Sequence, residues 1–209
     1  MDSRIKMSEK EMCNYFIREQ KVMKYGEEFF NMICSCDMST ENCKLINNEV
    51  LPLLCFNQLD EYLYSVDNGY NYAVRGGFVK AVKKQAYIRI GIDASNSILN
   101  KVLKRTIRHE IIHYCLWLLD LPHDDDSLEF WCLCYVFDGG AYEELSLEDK
   151  KYYDLFKNVY DKYVAVLPEK NCYFIAGQMI TSIRKTPMNN FTDTVMDMVK
   201  VIKNLYRLE

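Results

Sequence analysis

The sequence predicts an α+β fold, with a small antiparallel or mixed sheet packed on one central helix and further helices at both ends. Three observations predict it. Short apolar or β-branched and aromatic runs with strand signals fall at 51–56, 70–79 and 86–92. A helical apolar pattern then begins at Ile98 and is halted by Pro122. Amphipathic patterns at 8–32 and 190–208 flank this middle region.

The elements follow in order. Segment 8–32 reads as a long helix with Met12, Tyr15, Phe16, Val22, Met23, Phe29 and Phe30 as its apolar members, and 34–48 is polar and loop-like. Asp67-Asn68-Gly69 and Arg75-Gly76-Gly77 are turn or bulge signals between or within the strands. Ser95 and Ser97 are candidate N-caps of the central helix. From Ile98 through Leu103, Ile107, Ile111, Ile112 and Leu116 the apolar spacing is helical, and Pro122 stops it because proline cannot donate a backbone hydrogen bond. A second helix starts after Asp124-Asp125-Asp126-Ser127, carries Leu128, Phe130, Trp131, Leu133 and Phe137, and ends at Asp138-Gly139-Gly140. Ser146 opens a tyrosine-rich helix over 147–164, and Pro168 breaks the chain. Segment 173–183 is expected as strands forming a hairpin, and 190–208 as a closing amphipathic helix. The expected organisation is therefore an N-terminal helical extension at 1–43, a core at 44–165, and a C-terminal hairpin and helix at 166–209 packed on that core.

Composition bounds the function class. A length of 209 residues suits one large domain, and 49% hydrophobic with 27% charged residues is ordinary for a globular chain. The net charge of −4 argues against a general nucleic-acid binder. Two basic groups stand out: Lys80, Lys83, Lys84 and Arg89, and Lys101, Lys104, Arg105 and Arg108. Both read first as solvated surface and second as a rim for an acidic partner. Nine cysteines without a repeating framework point to a reducing compartment, with Cys34/Cys36 and Cys132/Cys134 as structural thiols. No stretch has transmembrane length and no signal-peptide pattern is visible, so a cytoplasmic location without membrane contact is expected.

The chemistry concentrates in one place. All three histidines fall within fifteen residues, and His109-Glu110-Ile111-Ile112-His113 spells HExxH. Random placement would give that pattern about 0.003 times in a chain of this composition, so chance is a weak rival. Helical residues four apart share a face, so His109 and His113 can offer two imidazoles to one metal ion. Glu110 lies one step round from His109, which suits a general base for a water activated by the metal. A catalytic zinc site uses three protein ligands, so a third is required. His123, in the turn after Pro122, leads; Glu129 is the main rival, and Asp120 and Asp124 follow.

This pattern resembles the SprT-like metallopeptidases: HExxH, an apolar helix, then a turn with His123 followed by Phe130 and Trp131. It is also similar to small related zincins. Segments 53–59, 72–78 and 87–92 resemble the strands of that domain, and the resemblance covers 44–139. It implies a zincin-like fold, Zn²⁺ held by His109, His113 and His123, Glu110 as catalytic acid/base, and a protein or peptide substrate. The chain departs from the family in having no CxxC pair and in having Asp124 where a glycine often follows the third histidine. The first departure weakens the implied association with nucleic acid. Tyr114, Arg75 and Tyr142 are candidates for stabilising an oxyanion, and one of the expected hairpin strands for pairing with substrate. The competing expectation is a zinc-bound binding or regulatory module with absent or latent protease activity. Sequence does not specify the oligomeric state.

Overall fold

The computed structural model describes residues 9–35, 53–56, 74–80, 86–92, 101–141 and 143–208. Helix α1, Glu9–Ser35, buries Val22, Phe29, Phe30 and Ile33 and leaves Ile17 and Met23 exposed. The buried positions recur every three, four or seven residues and so form one stripe. Three short strands follow: β1, Leu53–Phe56; β2, Val74–Lys80; and β3, Ala86–Ile92. β3 lies between the other two, parallel to β1 and antiparallel to β2. Ile88 and Ile90, two residues apart on β3, share a face and are fully buried.

Helix α2, Lys101–Leu118, is the central element and packs against α1, β2, β3 and the next helix. Every residue from His109 to Leu116 is buried, so the helix is enclosed all round where the motif lies. It ends two residues before Asp120, which adopts a left-handed conformation (φ 55°), while Leu121 N–H bonds back to the Leu116 carbonyl at 3.0 Å. Pro122 lies just beyond this cap. Helix α3, Leu128–Phe137, buries Leu128, Phe130, Leu133 and Phe137 and ends at left-handed Asp138. Cys132 and Cys134 are both buried within it, and burial pushes both thiols up.

The C-terminal third is helical. α4, Leu147–Val159, starts at Ser146, whose hydroxyl accepts the Asp149 N–H at 3.1 Å. It widens into a π-helical turn at Tyr160–Val164, where the Tyr160 hydroxyl meets the Cys172 thiol at 3.0 Å. α5, Glu169–Ser182, and α6, Met188–Tyr206, complete the chain. α6 buries Phe191, Val195, Val199 and Ile202 at spacings of three and four. No helix among the described residues is long and apolar enough to cross a membrane.

Two expectations are corrected. The α+β, zincin-like class does not hold: the described residues are predominantly helical, and strand is confined to three short runs. The expected hairpin at 173–183 is helix α5. Its residues Cys172, Ile175, Ala176, Met179 and Ile180, and Ile183 just beyond its end, are buried at helical spacing. The β-branched and aromatic residues that suggested strands are a weak local bias, and burial against α3 and α6 overrides it. The expected caps Ser95 and Ser97, the turn at 67–69, Cys36, Lys83, Lys84 and Tyr142 lie outside the described residues.

Candidate metal centre

α2 places His109 and His113 one turn apart, with ring centroids 4.7 Å apart and ring planes at 84°. Each ring is held by a backbone carbonyl. His109 Nδ1–H donates to the Gly140 carbonyl at 2.7 Å, and His113 Nδ1–H donates to the His123 carbonyl. A carbonyl only accepts, so both rings carry their proton on Nδ1 and, when neutral, turn the Nε2 lone pair inward. The two Nε2 atoms stand 3.2 Å apart. Asp125 Oδ1 completes a triangle, 3.1 Å from His109 Nε2 and 3.4 Å from His113 Nε2.

The surrounding residues fix this triangle. Phe130 of α3 stacks on the His113 ring (4.0 Å between centroids, 10° between planes) and meets His109 edge-on at 4.9 Å. Trp131 Nε1–H donates to the Asp125 carbonyl at 2.9 Å. Ser127 N–H and its hydroxyl both donate to the Asp124 carbonyl, at 2.9 and 2.8 Å, closing the turn that carries Asp125. Behind the histidines, Gly140 takes a positive φ of 73°. Gly139 lies so close to α2 that an added Cβ would stand 2.6 Å from Ile112 Cδ1.

Electrostatics match the geometry. Burial pulls the His109 pKa down, but the Asp125 carboxylate, the Glu110 charge and the Gly140 carbonyl outweigh it, and the net shift is upward. Hydrogen bonds to His109 and then His113 hold Asp125 well below the usual carboxylate range, against the opposing effect of burial. Two imidazole lone pairs and a carboxylate oxygen facing each other require a cation between them, a proton or a metal ion. Zinc ligands about 2.0–2.1 Å from the ion at tetrahedral corners lie about 3.3 Å apart. The three observed separations of 3.1, 3.2 and 3.4 Å fit that spacing, so the residues fit a zinc ion.

The structure brings together two of the three expected ligands. Among the described residues, the group whose donor atoms all lie within 4.8 Å of one another is His109, His113 and Asp125. His123 is not part of it; its Nδ1–H donates to the Leu121 carbonyl at 2.9 Å and its own carbonyl holds His113. Glu129 is buried and bonded to Arg184, just after α5, with Oε1 2.9 Å from Arg184 Nε. Asp120 and Asp124 are exposed and outside the group. Glu110 is buried beside His109 at 5% exposure. Tyr114 packs into the core against Phe30 and Trp117. The side chain of Arg75 and all of Tyr142 lie outside the described residues. Of the basic groups, Arg105 and Arg108 lie 3.6 and 3.5 Å from Asp138, and Lys104 sits over the Tyr25 ring.

Asp125, Gly140 and Trp131 are the site residues that sequence reasoning missed in these roles. Asp125 had a signal, two residues beyond His123 in the same turn, but three successive aspartates hid which one faces inward. Comparison with family models, curated proteins and solved structures finds no match to this chain.

Proposed function

We propose that this chain is a zinc-dependent metallopeptidase in which Glu110 is the general base. The observation that carries the reading is the pair of carbonyl-fixed rings, His109 and His113, whose lone-pair nitrogens converge at 3.2 Å on the helix that also carries Glu110. Zinc, when bound, supplies a Lewis acid that lowers the pKa of a water to about 7. His109 and His113 would hold it through Nε2, oriented by Gly140 and His123. Glu110 takes the proton released as water attacks the scissile carbonyl and passes it to the leaving amine. The SprT-like resemblance supports the same chemistry and a protein or peptide as substrate, and the cysteine usage supports a cytoplasmic setting. Nucleic acid gains no added support, because Arg105 and Arg108 are drawn onto Asp138.

Glu110→Gln tests the role. Hydrolysis of a mixed peptide library should fall by about 10²–10⁴-fold with the metal content unchanged. Full activity in Glu110→Gln would remove Glu110 from the mechanism. One observation favours a second reading, a metal-holding module without turnover: Glu110 and both histidines are almost fully buried. Stoichiometric metal with no cleavage of any library peptide would select that reading.

A further inference from the structure

We infer that Asp125 is the third metal ligand and that His123 acts through its backbone carbonyl as the anchor of His113. The inference rests on the metal-site reading above and goes beyond it by naming a ligand set of two imidazoles and one carboxylate.

Three independent features place Asp125. Its Oδ1 touches both Nε2 atoms at separations that match adjacent corners of a zinc tetrahedron. Its main chain is tied on both sides, by the Trp131 indole at its own carbonyl and by Ser127 at the preceding carbonyl. Such supporting bonds orient first-shell ligands and keep them from relaxing away when the ion leaves. Its neighbours Asp124 and Asp126 are exposed, whereas Asp125 is half-buried, so the turn presents only the middle aspartate of the three. His123 is placed differently: its Nδ1–H donates to the Leu121 carbonyl, its own carbonyl sets the tautomer of His113, and its side chain is not part of the converging group.

The donor set has a chemical consequence. Two histidines and a carboxylate are harder than three histidines, so the site should accept cobalt(II) and manganese(II) as well as zinc. Three protein ligands leave one tetrahedral position open, which suits a hydrolytic centre.

The test is metal binding by the full chain, read by elemental mass spectrometry and by competition with a coloured chelator. The wild-type chain should bind zinc in a one-to-one ratio. Asp125→Asn, which keeps the shape and removes the charge, should weaken zinc at least about 100-fold. Trp131→Phe should weaken it about 10–100-fold by freeing the Asp125 carbonyl. His123→Ala keeps the backbone carbonyl and should stay within a few-fold of wild type. Cobalt(II) spectra should change in Asp125→Asn and stay the same in His123→Ala, and circular dichroism should show each variant folded. Wild-type affinity in Asp125→Asn, or a 100-fold loss in His123→Ala, would overturn the assignment and leave the metal-site reading standing. Equal failure of the wild-type chain and of His109→Ala to bind any of the three ions would sink both.

Discussion

His109 donates its Nδ1–H to the carbonyl of Gly140 across 2.7 Å, joining the central helix α2 to the loop that follows α3. The bond depends on two small residues. Gly140 needs a positive φ, and Gly139 must let the loop approach Ile112.

Gly140→Ala should therefore act on the metal as well as on the fold. A left-handed non-glycine residue costs about 1–2 kcal/mol. If the loop relaxes, His109 loses its orienting carbonyl and zinc affinity should fall about 10–100-fold. Gly139→Ala should lower the melting temperature too, because its Cβ would stand 2.6 Å from Ile112 Cδ1 and the buried Ile112 side chain or the loop would have to shift. Zinc titration and thermal unfolding check both; unchanged affinity in Gly140→Ala would separate that carbonyl from the site.

Arg184 and Glu129 form a second linked pair, away from the metal group. Arg184 Nε lies 2.9 Å from Glu129 Oε1, and its NH1 nitrogen lies 2.8 Å from Asp149 Oδ1. The Glu129 side chain is only 4% exposed, and its Oε2 has no hydrogen-bond partner among the described residues. Arg184→Met would leave a buried carboxylate without its counter-charge. Breaking a fully buried pair costs about 3–5 kcal/mol, and the 45% exposure of Arg184 reduces this to about 1–3 kcal/mol. Denaturant unfolding should show that loss, and the double variant with Glu129→Leu should recover most of it. Equal stability of Arg184→Met and wild type would show that the pair contributes nothing measurable.

Chelation should destabilise the whole chain. A ligand at 100 times its Kd adds about 2.7 kcal/mol to the folded state, which for a domain of this size corresponds to about 5–10 °C in Tm. Calorimetry with and without a chelator should show a drop of that order, reversed by zinc. A His113→Ala variant should show no response to either treatment. A chelator-insensitive wild-type transition would count against a resident ion.

Much of the site was legible in the chain. His109 and His113 share a face because four residues span about one helical turn, and this local geometry needs no knowledge of the fold. The glycines after Asp138 marked the end of α3, and Pro122 marked the break after α2. The Phe130-Trp131 pair was visible as part of a motif, but its physical work was not: Phe130 stacks on the His113 ring and Trp131 holds the turn bearing Asp125. Segment 173–183 was misread because its aromatic and β-branched residues match both a strand and a buried helix face. The overall class was misread for the same reason, with helix replacing the expected C-terminal hairpin.

The sequence by itself determined the paired histidines, the adjacent Glu110 and the turn that follows them, because helix pitch and proline stereochemistry act within a few residues. Only the tertiary structure decided which acidic side chain meets those histidines and which carbonyls orient them. Asp125 reaches His109 because α3 packs on α2, and Gly140 reaches it because the next loop folds back over Ile112. Those approaches depend on contacts between residues 16 to 31 positions apart, which local spacing does not encode.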